Sequence, residues 1–392
     1  MKFPNKYLRN LKPYKLASHK IWAVKPEERP QVLKLDWNES TIPPSPLVRQ
    51  RIEQCLTEPS FFNLYPTTYN EELLTLLSNY VGLPKENVQY FGSSDVLHEY
   101  ICKAFISVGD PVMILGPSYD NFRLTCQANG ADVYFSNYRE DFTFDTEQFE
   151  NDILTREPAV VYICNPNNPT GYLYTRREMN QIRDLVKKHN LYLFSDEVYR
   201  EFIYTGSPYI SSMHLEGIEQ NVVLIDSVSK RYSECGIRIG ALITKNEAIR
   251  GTVMKFCQAR LSPPLIGQIV AEASIDGTEA YSREMYEEYV ERRKCLIDGI
   301  NRIPGCYTPL PMGAFYTVAK LPVDDAEKFC AWCLTDFSYE GETVMMAPAA
   351  GFYTTPGLGK DEVRMAYVLC KEDLKRALFI LAKALEQYNS TK

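Results

Sequence analysis

The feature of this chain that most constrains its fold is an alternation of helix-period and strand-like segments along residues 71–244. The apolar runs at 160–164 and 191–194 are nearly continuous, as in strands that are covered on both faces. Segments with apolar residues at helical spacing, such as 95–107 and 176–189, lie between the runs. This order predicts an α/β fold with a mostly parallel sheet and helices on both faces.

The pattern changes in the C-terminal part of the chain. A long helical pattern at 278–301 precedes a second region, in which 315–319, 343–347 and 363–367 have the composition of strands. The segment 371–388 has apolar residues at helical spacing and is the last predicted helix. These segments predict a smaller α+β unit after the large sheet.

The length of 392 residues and the hydrophobic content of 45% allow two domains. The first 45 residues are irregular and rich in proline, and we expect them to join the C-terminal part in the smaller domain. The predicted limits are 1–45 for the N-terminal segment, 46–290 for the large domain and 291–392 for the C-terminal part. The prolines at 43–46 predict a helix that begins near residue 47.

Composition excludes several classes of function. The net charge of −7 argues against a general nucleic-acid-binding role, because phosphate backbones attract basic surfaces. The sequence shows no signal-peptide pattern and no 18-residue apolar segment, so we expect no membrane association. The 11 scattered cysteines are typical of free thiols and predict a cytoplasmic protein. The 4 histidines lack metal-ligand spacing, so no metal is expected.

Lys230 is the residue on which chemistry most plausibly depends, since it follows the strand-like run 222–225 among small hydroxylated residues. Burial of an ammonium group is costly unless the amine is used. An amine in such a place can condense with an aldehyde, and pyridoxal phosphate is the aldehyde most often held this way. A surface lysine after a strand is the alternative reading of this segment alone.

Three other segments follow predicted strands and should meet Lys230 at one edge of the sheet. Asp196 follows the run 191–194, and a partly buried carboxylate there needs a cation such as a protonated pyridine nitrogen. The loop 165–171 contains two prolines and a glycine, which hold an asparagine in a fixed direction. The small residues at 92–95 let backbone N–H groups approach an anion at a helix N-terminus.

These motifs occur in the order and spacing of a known family, and the sequence resembles a fold-type I pyridoxal-phosphate-dependent aminotransferase of class I/II. The similarity rests on NNPTG at 167–171, Asp-x-x-Tyr at 196–199, Ser-x-Ser-Lys at 227–230 with an arginine eight residues later, and Val-Arg-Met-Ala at 363–366. It covers the chain from about Leu35 to the C-terminus. The resemblance implies a seven-stranded type of sheet, as in aspartate aminotransferase, and pyridoxal 5′-phosphate as cofactor.

The resemblance also implies a role for each site residue. Lys230 is expected to form the Schiff base, Asp196 to pair with the ring nitrogen, and Asn168 and Tyr199 to hold the ring oxygen. Ser93, Ser94, Ser227 and Arg238 are expected to hold the phosphate, and Tyr119 is expected to stack on the ring. Tyr65 is expected to reach the phosphate of the neighbouring subunit. Arg364, Asn38 and Asn168 are expected to bind the substrate. The role of Tyr65 implies a homodimer with sites at the subunit interface.

The substrate is less constrained than the cofactor. Residues 35–46 and 92–95 resemble histidinol-phosphate aminotransferases, whereas 348–353 and 363–367 resemble aspartate or aromatic aminotransferases. We expect an L-amino acid and a 2-oxo acid as substrates, with glutamate and 2-oxoglutarate as one pair and aspartate as the leading partner. Arg260 could supply the second cation that a dicarboxylate needs, or it could be a structural interface residue.

Alternatives to this function remain open at the level of sequence. Histidinol phosphate could be the substrate, or the chain could be a C–S lyase or an amino-acid decarboxylase on the same fold, with the same cofactor residues. A non-catalytic cofactor-sensing domain is disfavoured, because such regulators usually carry a DNA-binding module and Lys230 is intact here.

Overall fold

The computed structural model describes residues 6–8, 26–28, 31–66 and 69–390. The strands are β1 Gln31–Lys34, β2 Val88–Phe91, β3 Pro111–Gly116, β4 Asp132–Asn137, β5 Val160–Cys164, β6 Tyr192–Asp196, β7 Val222–Ser227, β8 Gly240–Ile243, β9 Tyr316–Lys320, β10 Glu342–Met345, β11 Ala347–Pro348 and β12 Glu362–Ala366. The helices are α1 Pro46–Cys55, α2 Glu71–Val81, α3 Ser94–Phe105, α4 Asp120–Ala128, α5 Thr146–Arg156, α6 Arg176–His189, α7 Val228–Arg231, α8 Glu247–Ala259, α9 Leu265–Asp276, α10 Thr278–Ile300, α11 Ala326–Thr335 and α12 Lys371–Ser390.

A 7-stranded sheet forms the centre of the larger part of the molecule, with strand order β2-β8-β7-β6-β5-β3-β4. Strand β8 runs antiparallel to both of its neighbours, β2 and β7. The pairs that join β7, β6, β5, β3 and β4 are parallel. The predicted α/β fold with a mostly parallel sheet is therefore confirmed.

Side chains of successive residues in the central strands enter two different cores, as the two-residue period of a strand requires. In β5, Val161 and Ile163 pack into one core, and Tyr162 and Cys164 pack into the other. Every residue of β5 is buried. Helices cover both faces, which explains why the sequence of this strand is apolar without alternation.

A third core joins the N-terminal strand to the C-terminal part of the chain. Strand β1 pairs in parallel with β10, and β9, β11 and β12 form a separate antiparallel sheet. Leu33 and Leu35 pack in this core with residues of α10, α11 and α12, and Tyr199 and Phe202 enter it from the segment that follows β6. The predicted domain limits at 45 and 290 stay a prediction.

The helices that were not predicted from the sequence include α5, α8 and α9. Helix α5 buries only Phe149 and Ile153, so its apolar pattern is weak. Helix α9 was missed for the opposite reason. Seven of its residues are buried, so its sequence does not show one polar face and one apolar face. Among the described residues, no helix is long and apolar enough to cross a membrane.

Candidate active site

A cavity opens at the carboxyl ends of β5, β6 and β7, where the topology of an open α/β sheet predicts a ligand site. It is lined by Asn38, Ser94, Asp95, Tyr119, Cys164, Asn168, Asp196, Val198, Tyr199, Ser227, Ser229, Lys230 and Arg238. The structure thus brings together nearly all of the residues that the sequence motifs singled out. Ser93, Tyr65 and Arg364 are not among the lining residues.

Lys230 lies in α7, the short helix that follows β7 directly. Its Nζ donates a hydrogen bond of 2.7 Å to the main-chain oxygen of Asn38 and lies 3.5 Å from Sγ of Cys235. The amine therefore points into the cavity rather than into bulk solvent. It is available there for covalent chemistry with a carbonyl compound.

Asp196 ends β6 and is 3% exposed. Its Oδ2 accepts a hydrogen bond of 3.0 Å from the Tyr162 hydroxyl and lies 3.4 Å from Nε2 of His98. Within the described residues no lysine or arginine pairs with this carboxylate. A buried carboxylate that faces a cavity without such a partner fits a ligand with a cationic ring nitrogen.

The opposite end of the cavity has the properties of an anion site. Helix α3 begins at Ser94, so its free N–H groups face the cavity beside Ser227 and Arg238. Strand β8 approaches this helix end closely, since a Cβ on Gly240 would lie 2.6 Å from the Ser94 nitrogen. Arg238 is currently paired with Asp95 at 2.9 Å. These groups fit a phosphate.

Ser93 has a different position from the one expected. It is buried, its φ of 115° lies in the region that favours glycine, and its hydroxyl accepts a hydrogen bond of 3.3 Å from the Val96 nitrogen. Its side chain therefore caps α3 and does not line the cavity. This is the ordinary N-cap role, which serine performs because its oxygen can satisfy a free helical N–H group.

Arg364 lies in β12 and is 2% exposed. It donates to Oδ1 of Asn168 at 3.2 Å and to the main-chain oxygen of Asp36 at 2.8 Å. The rings of Tyr316 and Phe352 lie within 4.7 and 5.2 Å of the guanidinium carbon. Its buried Nε has no hydrogen-bond partner among the described residues, so the arrangement fits a carboxylate or another small anion beside Asn168.

A line of hydroxyl and amide groups connects Arg364 with the loop of Asn38. Nδ2 of Asn168 lies 3.4 Å from the Tyr199 hydroxyl, which is 2.9 Å from the Tyr316 hydroxyl. Tyr316 in turn donates to Oδ1 of Asn38 at 2.8 Å. Burial raises the pKa of both tyrosines, so both stay neutral and can donate.

Tyr65 and Arg260 lie outside this cavity. Tyr65 is 85% exposed, and Phe62 and Leu64 beside it are exposed as well. Arg260 lies at the C-terminal end of α8, and its guanidinium carbon is 5.9 Å from the ring of Tyr100. Neither side chain can act on the cavity of its own chain in this arrangement.

Several residues of the site were missed at the level of sequence: His98, Tyr162, Tyr316, Asp95 and Cys235. Tyr162 and Tyr316 stand in apolar strands, where an aromatic residue is usually only part of the core. His98 is fully buried in α3 and showed no metal-ligand spacing. Asp95 was the one with a usable signal, since it lies in the 92–95 segment.

Comparison with known proteins agrees with this geometry. Residues 30–379 match the family described as aminotransferase class I and II. A dihydroxyacetone phosphate transaminase of Campylobacter jejuni is 32% identical over 76% of this chain and 78% of its own length. A histidinol-phosphate aminotransferase of Methanocaldococcus jannaschii is 25% identical over 96% of both chains.

The solved structures show the same fold at lower identity. A single mutant of Thermus thermophilus aspartate aminotransferase superposes with a TM-score of 0.86 at 21% identity, covering 98% of this chain and 100% of its own. Together with the family match and the relatives, this confirms the predicted aspartate aminotransferase type of fold, the reaction class and the cofactor. The chain belongs to the aminotransferase class I and II family and is a pyridoxal-phosphate-dependent aminotransferase.

Proposed function

We propose that the chain transfers an amino group between an L-amino acid and a 2-oxo acid, with glutamate and 2-oxoglutarate as one pair and aspartate as the leading partner. The observation that carries this proposal is the buried guanidinium of Arg364, whose Nε has no partner among the described residues. An α-carboxylate would satisfy it through the paired N–H groups that arginine offers to planar anions.

The cavity residues have matching proposed roles. Lys230 forms the covalent bond to the cofactor aldehyde, and Asp196 holds the proton on the ring nitrogen. Tyr199 and Asn168 donate to the ring oxygen, and Tyr119 stacks on the ring. Ser94, Ser227 and Arg238 hold the phosphate at the N-terminus of α3, while Asn38 closes the substrate side.

Proton transfer falls to Lys230 in this proposal. When bound, pyridoxal phosphate withdraws electrons from the α-carbon of the substrate. The Nζ of Lys230 would be freed when the amine of the substrate replaces it on the aldehyde. Held toward the cavity by the Asn38 main-chain oxygen, it would then take the α-proton as a neutral amine and later return a proton as an acid. Arg364 would hold the carboxylate in one orientation, so that loss of the α-proton is favoured over loss of CO₂.

A second candidate is a phosphate monoester in place of one amino acid or one 2-oxo acid. The relatives from Campylobacter jejuni and Methanocaldococcus jannaschii are named for dihydroxyacetone phosphate and histidinol phosphate, both of which lack an α-carboxylate. Arg364 suits a phosphate as well as a carboxylate. A dicarboxylate, by contrast, needs a second cation besides Arg364, and Arg260 lies outside the cavity of its own chain.

A half-reaction screen separates these candidates. Glutamate, aspartate, histidinol phosphate, tyrosine and alanine are added singly to the purified enzyme, and loss of the visible cofactor band is recorded. The aminated enzyme is then offered 2-oxoglutarate, oxaloacetate or dihydroxyacetone phosphate. Release of pyruvate and free ammonia from a sulfur amino acid, or of CO₂ without formation of the aminated cofactor, would support a lyase or a decarboxylase instead.

Lys230→Ala tests the central role directly. We expect loss of turnover by several orders of magnitude and loss of the visible band of the bound cofactor, because Lys230 is the one lysine among the described residues that line the cavity. The control is Lys245→Ala. The amine of Lys245 donates a hydrogen bond to the main-chain oxygen of Met213, away from the cavity. Turnover that persists in Lys230→Ala would remove the basis of the proposed mechanism.

We further propose that the active unit is a homodimer in the cytoplasm. The exposed Tyr65 and its apolar neighbours support the dimer, because a tyrosine with that role must reach the cavity of the other subunit. Eleven free cysteines support a reducing compartment.

A further inference from the structure

A chain of polar contacts connects Arg238 at one end of the cavity with Asp196 at the other. Oδ2 of Asp95 pairs with Arg238, and Oδ1 of Asp95 accepts a hydrogen bond of 2.9 Å from Nδ2 of Asn121. The same Nδ2 lies 3.4 Å from Nδ1 of His98. Nε2 of His98 lies 3.4 Å from Oδ2 of Asp196.

The charge of Asp95 determines which way the Asn121 amide points. Asp95 is ion-paired with Arg238 and is therefore an ionised carboxylate, which can only accept hydrogen bonds. The atom of Asn121 that faces it must be the nitrogen. The hydroxyl of Tyr119 also donates to Oδ1 of Asp95, at 3.1 Å, so the carboxylate is held from a second side.

The direction of that amide in turn determines the tautomer of His98. A protonated Nδ1 would place two N–H donors face to face, whereas a bare Nδ1 accepts from the Asn121 nitrogen. The proton of the neutral ring then belongs on Nε2, which faces Asp196. His98 is fully buried, and the rings of Phe122 and Tyr162 lie 5.7 and 5.8 Å from it, so water cannot replace these partners.

We propose that Asn121 is a positioning residue that sets the tautomer of His98 and thereby turns the N–H group of the ring toward Asp196. This inference rests on the proposed role of Asp196 at the ring nitrogen. At 3.4 Å the His98–Asp196 contact is longer than a well-formed hydrogen bond, and Nε2 has no other partner among the described residues, so its effect is electrostatic. Tyr162 supplies the shorter hydrogen bond to the same oxygen.

Histidine NMR of the full-length enzyme tests the first step. The chain has only 4 histidines, so selective ¹⁵N labelling gives a small set of signals that single substitutions can assign. We expect Nδ1 of His98 to be bare and Nε2 protonated. Asn121→Asp puts an acceptor opposite Nδ1 and should move the proton there. A protonated Nδ1 in the unchanged enzyme, or an unchanged pattern in Asn121→Asp, would refute the proposal.

Gln127→Glu is the matched control, because it makes the same amide-to-acid change on α4. Its side-chain oxygen accepts a hydrogen bond of 3.1 Å from Arg123, and this arrangement tolerates a carboxylate. We expect Asn121→Asp to raise the dissociation constant of pyridoxal phosphate about tenfold, and Gln127→Glu to leave it unchanged. Equal effects of the two substitutions would show that Asn121 has no special role.

A second pair of variants covers the case in which Asn121→Asp fails to fold. His98→Gln keeps an N–H donor for Asp196, whereas His98→Leu removes it. We expect His98→Leu to weaken cofactor binding about tenfold and His98→Gln to restore most of that loss. No difference between them would overturn the inference. Failure of the proposed function is distinct, since it would appear as turnover in Lys230→Ala with the NMR pattern intact.

Discussion

Arg364 can be changed with little disturbance of the cofactor, because it contacts Asn168 and the main chain of Asp36 and does not line the cofactor cavity. Arg364→Lys keeps the charge but loses the forked geometry. We expect kcat/KM for glutamate to fall about 100-fold, corresponding to roughly 3 kcal/mol. Most of the loss should be in KM, and steady-state kinetics with glutamate and 2-oxoglutarate measures it.

Arg293→Lys is the control for this substitution. Arg293 donates to the main-chain oxygen of Pro311 and covers the Tyr204 ring, away from the cavity. The Arg293→Lys substitution should leave KM for glutamate unchanged. Equal kinetics for Arg364→Lys and the unchanged enzyme would mean that the substrate anion binds elsewhere.

Glu234, four residues after Lys230, gives the enzyme a dependence of stability on pH. Its carboxyl is 2% exposed, and burial raises its pKa from 4.5 to about 8, against the hydrogen bond from Ser274 and the charge of Arg231. The folded state therefore binds this proton more tightly than the unfolded state. The resulting stability is complete below pH 4.5 and is lost as the pH rises toward and through 8.

Glu234→Gln should remove this dependence. We expect the free energy of unfolding of the unchanged enzyme to fall relative to the variant between pH 5 and pH 9, by about 3 kcal/mol. Urea denaturation of both proteins at several pH values measures the difference. Glu140→Gln, at an exposed position, serves as control. Parallel pH curves for Glu234→Gln and the unchanged enzyme would contradict the assignment.

At the residue scale, the sequence predicted the site residues that lie at the ends of strands, and it missed the site residues that come from other elements. Asp196 ends β6 and Lys230 follows β7 closely, so topology alone placed them at one edge. His98 and Tyr316 approach from a helix and from another sheet. Their place depends on the packing of distant elements, which spacing along the chain does not reveal.

At the scale of elements, α6 illustrates how local signals fix a boundary. Thr175 accepts a hydrogen bond from the Glu178 nitrogen at 3.3 Å, and Glu178 accepts one from the Thr175 nitrogen at 2.7 Å. This reciprocal capping satisfies two free N–H groups at the start of the helix. The helix was predicted at its observed limits, 176–189.

Removal of the cap should cost stability without affecting the site. We expect Thr175→Ala to lower the free energy of unfolding by about 1 kcal/mol, because the Glu178 N–H group loses its partner. Thr175→Ser keeps the hydroxyl and should be close to neutral. Urea denaturation compares the three proteins, and a loss in Thr175→Ser as large as in Thr175→Ala would show that the methyl group, not the cap, matters.

The missed helices differ from α6 in the strength of these signals. Helix α5 is capped by Asp145 but buries only two side chains, and α9 has no side-chain cap at all. Helix α9 is also buried on most sides, against α1 and α2, so its sequence lacks a polar face. Helix α8 is a different case, because Asn246 caps it and Ile249, Val253 and Cys257 are buried at helical spacing, so a helix could have been predicted there.

At the scale of the whole molecule, the fold class followed from the order of segments, whereas assembly does not follow from a single chain. Leu64 and Tyr65 are 65% and 85% exposed, which is unusual for adjacent large apolar side chains. A homodimer would bury them and would bring Tyr65 to the phosphate end of the other cavity. The cofactor site would then need two chains.

Mixing two inactive variants tests this dependence. Lys230→Ala lacks the amine but supplies Tyr65, and Tyr65→Ala lacks the tyrosine but supplies Lys230. In a mixed dimer with twofold symmetry, the cavity of the Tyr65→Ala chain receives Tyr65 from its partner and is complete. After unfolding and joint refolding at equal amounts, we expect about one quarter of the activity of the unchanged enzyme, since half of the dimers are mixed and each mixed dimer has one complete site of two.

The control is Lys230→Ala mixed with the variant that carries both substitutions. This mixture should gain no activity, because no chain then carries Lys230. Activity no greater than the sum of the separate parents would place Tyr65 outside the partner's site, and the exposed 61–66 segment would then need another explanation.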